Sequence, residues 1–495
     1  MLLERGATKR RQCKDGRLAL HYAAEAGHLD CLVMLLQHGT PVDHEDAHGE
    51  TALTISTRKG DLKATGLLLQ HGARIDRESK EAGVTPLLRA VGAGQTAAIA
   101  ALSTCGAQLD YETERGVTAL IHATREGNAT AIAALTKSGA VVDIQATDGY
   151  LTALIIAAQE EAVPSIVALL RCGAQVDLET KSGLTPLIAA AAAGKSRSVE
   201  TLLKLGAEPA YETRDGKTAA IEAVRCRQRG ALFALYQHGA GAVVDYETHA
   251  GRTALQQAAE DGLVDLVSDL VKWGEGVDFE TLTGRTALMS AALAGQTECV
   301  SALVSAGAAV DRQNKDGLTA LMQMVVAGRI DMIPALVHAG ANPDLQTKNH
   351  ETALGLAATT GNALAISALV DCGATLSLEN ARGMSPLLLA LRKGHATAAT
   401  ALLECGAEVN FETAAGVTPL IFAAKQGKVR ARESKRQRRP KIQSRILPTN
   451  CDTPLIARAD TRLPHDFLRR RASFSTQPVS RGHVCARRAA RRWRT

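Results

Sequence analysis

The chain has 495 residues, of which 46% are hydrophobic but only 3% aromatic, and it holds no run of 18 apolar residues, which excludes a membrane-spanning helix. Its net charge of +6 averages two unlike parts: residues 428–495 hold 20 Lys and Arg against 4 Asp and Glu, while residues 1–427 hold 37 against 47. An acidic body carries a basic tail, and so few aromatics argue against large single cores.

At the start, Leu2-Leu3-Glu4-Arg5-Gly6-Ala7 reads like Leu68-Leu69-Gln70-His71-Gly72-Ala73, the end of a helix and its Gly-Ala turn. Residues 1–15 are therefore read as the truncated end of a preceding unit. No basic segment precedes an apolar one there, so no signal peptide is expected. From 16 to 427 a single pattern recurs. A capping residue stands at Leu18, Thr51 and Thr85, and so on to Thr352, Ser385 and Thr418, giving thirteen starts spaced 33 to 35 residues apart. Thr or Ser at that point accepts a bond from an orphan amide of a first helix. Pro follows at Pro86, Pro186, Pro386 and Pro419, where the missing N–H has no helical partner anyway.

Nine residues after the cap comes Gly in eleven of the thirteen copies, as at Gly295 and Gly328, which predicts a tight turn at positive φ. Glu161 and Arg227 are the exceptions, both in irregular copies. The fifth copy has an extra residue near Tyr150-Leu151, and the seventh has Ala220 for the core Leu and two extra residues at Gly241-Ala242. Local weakness is expected there. A second helix follows, with an apolar stripe such as Leu29, Leu32, Val33, Leu35 and Leu36, then Gly-Ala and a short finger.

This pattern resembles the ankyrin repeat, on the strength of segments such as Gly284-Arg285-Thr286-Ala287-Leu288 and Gly307-Ala308-Ala309-Val310-Asp311. The resemblance implies an all-α solenoid of about 12–13 helix-turn-helix pairs with short β-hairpin fingers over residues 16–427, each pair touching its neighbours. It also implies that fingers and first helices line a concave face that binds protein. The family often has His after the start Leu. Here only His21 keeps it, and Ile121, Met289 or Leu388 replaces it elsewhere.

The fingers carry the candidate site. Their cores read Asp110-Tyr111-Glu112-Thr113, Asp177-Leu178-Glu179-Thr180, Ala210-Tyr211-Glu212-Thr213, Asp245-Tyr246-Glu247-Thr248, Asp278-Phe279-Glu280-Thr281 and Asn410-Phe411-Glu412-Thr413. The third position is Glu or Gln in all twelve fingers. Stacked about 10 Å apart, the charges sum without severe repulsion. The functional reading is a carboxylate ladder with aromatic anchors (Tyr111, Tyr211, Tyr246, Phe279, Phe411) that captures a basic partner segment through Glu112, Glu179, Glu212, Glu247, Glu280 and Glu412. The structural reading is that the aromatics stack finger on finger and each Glu pairs locally with a base such as Arg115, Lys181 or Arg214.

No motif for phosphate-loop, zinc-protease or serine-hydrolase chemistry is found, so no enzyme activity, catalytic residue, cofactor or metal site is expected. His38, His71 and His238 stand beside Gly-Ala turns, where a helix C-terminus favours them. The 10 cysteines include no Cys-x-x-Cys. Cys105, Cys172, Cys372 and Cys405 recur with the repeat, and read as reduced thiols of a cytoplasmic or nuclear protein.

From 428 to 495 the period stops and disorder is expected. Lys435-Arg436-Gln437-Arg438-Arg439-Pro440-Lys441 resembles a nuclear import signal, and Arg470-Arg471-Ala472-Ser473 a basophilic kinase site. Neither end offers a polar capping repeat. The expectation is that the natural product is longer or that the tail replaces part of it, with the last first helix exposing apolar surface. The function expected is a scaffold or adaptor for protein partners. The alternative is a regulatory fragment of a larger multidomain enzyme, such as a kinase or ubiquitin ligase. Nucleic-acid contact is expected only through the tail.

Overall fold

A computed structural model describes residues 7–8, 10–79, 83–147, 149–239, 241–413 and 416–425. The first six residues and the tail from 428, with its two motifs, lie outside the described residues. Among those described, the chain forms twenty-five helices of seven to ten residues and no strand. They come in pairs, such as Ala287–Ala294 with Thr297–Ser305 and Ala320–Ala327 with Met332–His338.

The caps act as the sequence implies. Thr286 is extended, and its hydroxyl accepts the Met289 N–H at 3.3 Å. Thr51, Thr85, Thr118, Thr152, Thr185, Thr218, Thr253, Thr319 and Thr352 accept in the same way. Ser385 makes no such bond, although Pro386 still starts the helix. Leu18 has no oxygen to offer, and the His21 ring nitrogen Nδ1 accepts its N–H instead.

The turn between paired helices is left-handed whatever residue occupies it. Gly295 has φ +80°, and the two non-glycine exceptions, Glu161 and Arg227, are held at +60° and +58°. A side chain there costs roughly 1 kcal/mol or more, so packing on both sides enforces the turn.

From Ala19–Ala26 to Pro386–Lys393 each first helix packs on the next first helix, and the second helices pack likewise, except that Arg229–His238 and Val264–Lys272 meet chiefly through the rings of Phe233, Tyr236 and Trp273. Leu288, Leu321 and Leu354 form one buried line, and Leu303, Leu336 and Leu369 another. Truncating any of these to Ala would cost about 2–5 kcal/mol. In the seventh repeat Ala220 borders a small cavity of about 10 Å³ together with Ile221, Val243 and Tyr246.

Among the described residues the buried apolar side chains form two clusters, with Leu69 packed against both. One cluster runs from Leu18 to Ala73 and another from Leu87 to Ala407. The first cluster includes a partly polar first helix, Ala52–Lys59, whose buried Thr54, Ser56 and Thr57 bond to backbone carbonyls and whose Ser56 hydroxyl meets that of Thr65 at 3.0 Å.

The expected hairpin fingers take the form of closed turns. In one, Thr113 N–H donates to Val117 O and Gly116 N–H to Thr113 O, and the chain enters the next helix at Ala119 without forming a strand. By contacts the chain divides into Met1–Pro419 and Leu420–Thr495. The described part of the second unit belongs to the helix Pro419–Lys425, where Leu420 is exposed.

The finger face as candidate protein-binding site

Two carboxylates at each typical repeat junction reach forward to the following repeat. The finger Asp accepts a backbone N–H 31 or 32 residues on: Asp110 from Val141 at 3.0 Å, Asp278 from Ala309 at 2.9 Å, Asp311 from Asn342 at 2.9 Å. The finger Glu accepts an N–H from the tip of the next finger. Glu112 takes both the amide and the hydroxyl of Thr147, Glu179 the amide of Arg214, and Glu212 that of His249. Glu247 takes the amide of Leu282 at 2.6 Å, and Glu280 that of Lys315 at 3.0 Å.

The tyrosines point backward along the same row. Tyr111 donates its hydroxyl to Glu78, Tyr211 to Glu179 and Tyr246 to Glu212, at 3.3 to 3.4 Å. Desolvation, and then the neighbouring carboxylate, raises all three phenol pKa values, so the hydroxyls remain donors. Phe279 and Phe411 are half-buried without a polar handle, and Glu412 is exposed.

These positions were legible in the sequence, but their partners were not. Lys181 and Arg214, expected as counter-charges, meet Gln145 and Glu179 through backbone amides. An amide satisfies a carboxylate's lone pairs without cancelling its charge. Basic side chains also meet ladder carboxylates, as where Arg77 stands 2.9 Å from Glu45 and His249 Nδ1 2.7 Å from Glu212. Midway along the row the fingers border a cleft of about 840 Å³, lined by Asp177, Glu179, Tyr211, Glu212, Asp215 and His249 among others.

Two polar centres escaped the sequence reading. Glu50 lies among Arg17, Arg58 and Arg89, at 3.8, 3.2 and 3.6 Å, tying three successive repeats. Glu275 is buried where most other repeats have the Ala of Gly-Ala, and that broken pair was its signal.

The eight described cysteines are unbridged. Among the described residues no group of three or more His, Cys, Asp or Glu is placed to hold a metal ion, and no helix is long and apolar enough to cross a membrane.

A search of curated proteins gives no match. Among similar solved structures is the crystal structure of the human ASB11 ankyrin repeat domain, 26% identical, with a TM-score of 0.37, the alignment covering 45% of this chain and 98% of that one. The family profile described as ankyrin repeats in three copies matches residues 1–79, 154–248, 255–347, 321–413 and 354–433. With most of its length matched and its capped helix pairs stacked in phase, the chain belongs to the ankyrin-repeat family.

Proposed function

We propose that the array is a scaffold that recognises a protein partner through its finger face, and that the partner segment is basic. Ankyrin repeats are generally protein–protein interaction modules. The observation that carries the finer reading is the way the ladder carboxylates are held. Glu112, Glu179, Glu247 and Glu280 are fixed by backbone amides, so they are ordered while keeping their negative charge. Preorganised charge costs no side-chain entropy on binding, and a row of like charges steers an oppositely charged segment. The cleft at Asp177, Glu179, Tyr211 and Asp215 supplies an aromatic wall beside carboxylates, which suits a guanidinium.

The test separates charge from architecture. Gln at Glu179, Glu212 and Glu247 keeps an acceptor oxygen for each amide and removes the charge. Binding of an Arg/Lys-rich peptide, followed by fluorescence anisotropy at several salt concentrations, is expected to weaken at least tenfold in the triple variant and to lose most of its salt dependence. Equal affinity and equal salt dependence in native protein and variant would refute the basic-partner reading.

A further inference from the structure

The junction between the seventh and eighth repeats is built unlike the others. In most other repeats the residue after the Gly of this turn is a buried Ala, as at Ala207, Ala308 and Ala341. Here it is Glu275, with 4% of its surface exposed. The two extra residues Gly241-Ala242 lie in the facing turn of the seventh repeat, which presents Asp245 at φ +52°. Asp245 accepts the Gly276 N–H at 2.7 Å. A Cβ on Gly276 would stand 3.1 Å from the Asp245 carboxylate, so the two turns meet as closely as a glycine permits.

Glu275 has one satisfied oxygen and one that is not. Oε1 accepts the hydroxyl of Tyr236, from the helix Arg229–His238. Oε2 is buried with no hydrogen-bond partner among the described residues. The side chain next to it is another acceptor, the Asp245 carboxylate. Tyr236 and Asp245 are the titratable groups that act on Glu275 from the packed elements, and neither brings a positive charge. A buried carboxylate facing a half-buried one, with no cation between them, is repelled by it, whereas a proton held on the buried group turns two opposed acceptors into a hydrogen bond.

We propose that this junction is a proton-operated joint: it is closed while Glu275 carries a proton donated toward Asp245, and loss of that proton to solvent drives the two turns apart. Burial, as the main cause, pushes the Glu275 carboxyl up to about 8. The folded state thus holds a proton that an unfolded Glu, with a pKa of about 4.3, has released. Stability from this group is full below the unfolded value, declines as pH rises, and stops declining above about 8. The joint lies between the fingers bearing Tyr246 and Glu247 and those bearing Phe279 and Glu280, which are tied by the Glu247–Leu282 bond. Opening it breaks the carboxylate row at its middle. That bearing on recognition rests on the finger-face reading; the joint does not, and either can fail alone.

The experiment uses the full chain. Hydrogen exchange is followed in peptides spanning 236–246 and 270–282, each rate divided by that of peptides from the tenth and eleventh repeats in the same sample. If opening frees Glu275 to an ordinary pKa, the ratio rises about a hundredfold between pH 6 and pH 9. In Glu275→Gln, and in Glu275→Ala, which restores the neighbours' residue, it is flat. A carboxyl ¹³C titration of the native protein, with either variant assigning the resonance, is expected to place Glu275 near pH 8. A Glu275 resonance titrating in the ordinary carboxylate range, or the same exchange ratio in native and variant proteins, overturns the joint. Should neither variant fold, a native-protein ratio that stays constant from pH 6 to 9 overturns it, and a hundredfold rise confined to these peptides supports it.

Discussion

His21 concentrates what one residue can do in a repeated fold. It is fully buried, its Nδ1 accepts the Leu18 amide, and its Nε2 faces the carbonyls of His44 and Glu50, so it joins a helix start to the next finger. That bridge was foreseeable from the family-like position of the residue, because the bonds it makes are to backbone that every repeat supplies. Burial is the main cause that lowers its pKa, so the imidazole is kept neutral. The unfolded chain therefore binds the extra proton, and the stability it contributes is complete above the unfolded value of about 6.5 and lost as pH falls below it. Replacing His21 with Leu is expected to cost about 1–3 kcal/mol, by stranding a buried amide and its carbonyl partners, and to reduce the acid sensitivity of the first repeats. Urea denaturation of native and variant protein at pH 5 and 7.5 checks both effects. Glu275 was not foreseeable in the same way. Its partners, Tyr236 and Asp245, stand some thirty to forty positions earlier, and only folding brings them together.

At the scale of the element, the finger is less a presented loop than a latch. Asp110 and Glu112, two residues apart on one face, each hold an amide of the following repeat. The recurrence of Glu at the third finger position could be read from the sequence. Its use could not, because a carboxylate beside Arg or Lys invites a charge pair, and only the stacked geometry shows the backbone amide to be nearer. Glu112→Ala is expected to destabilise its junction by about 1–2 kcal/mol, since Thr147 loses a charge-assisted partner, while Glu112→Gln costs less than half of that. Exchange protection of the Thr147 amide reports the difference directly. The same reasoning explains why Gln variants, and not charge reversals, are the proper probes of binding: a Lys at these positions would place a donor against a donor.

Across the whole array, the period made the architecture legible before any coordinate, because a 33-residue spacing leaves little choice but stacked helix pairs. The division of the core was hidden. Thr54, Ser56 and Thr57 sit where most other repeats have aliphatic residues or Ala, and their hydroxyls are satisfied within the second repeat. Nearest-neighbour coupling in such arrays comes from buried apolar contact, so a hydroxyl-filled layer couples weakly. The Glu50 ion-pair cluster spans this break, and such partly exposed pairs contribute modestly. The first two repeats are therefore expected to unfold at lower denaturant than the rest, and Ser56→Ala together with Thr65→Val to bring the two transitions closer. Circular dichroism through a urea titration, with exchange identifying the early segment, tests this.

The latches have a direction. At each, an oxygen on an earlier finger takes a hydrogen from a later one. A polypeptide emerging from its N-terminus therefore always exposes the carboxylate first, and a lone carboxylate is content in water. The amide, which fares badly when it is enclosed without a mate, arrives only after its mate is already fixed. Growth of the stack during synthesis can thus proceed one turn at a time, with the finished edge serving as template for the next and nothing left waiting in an awkward state.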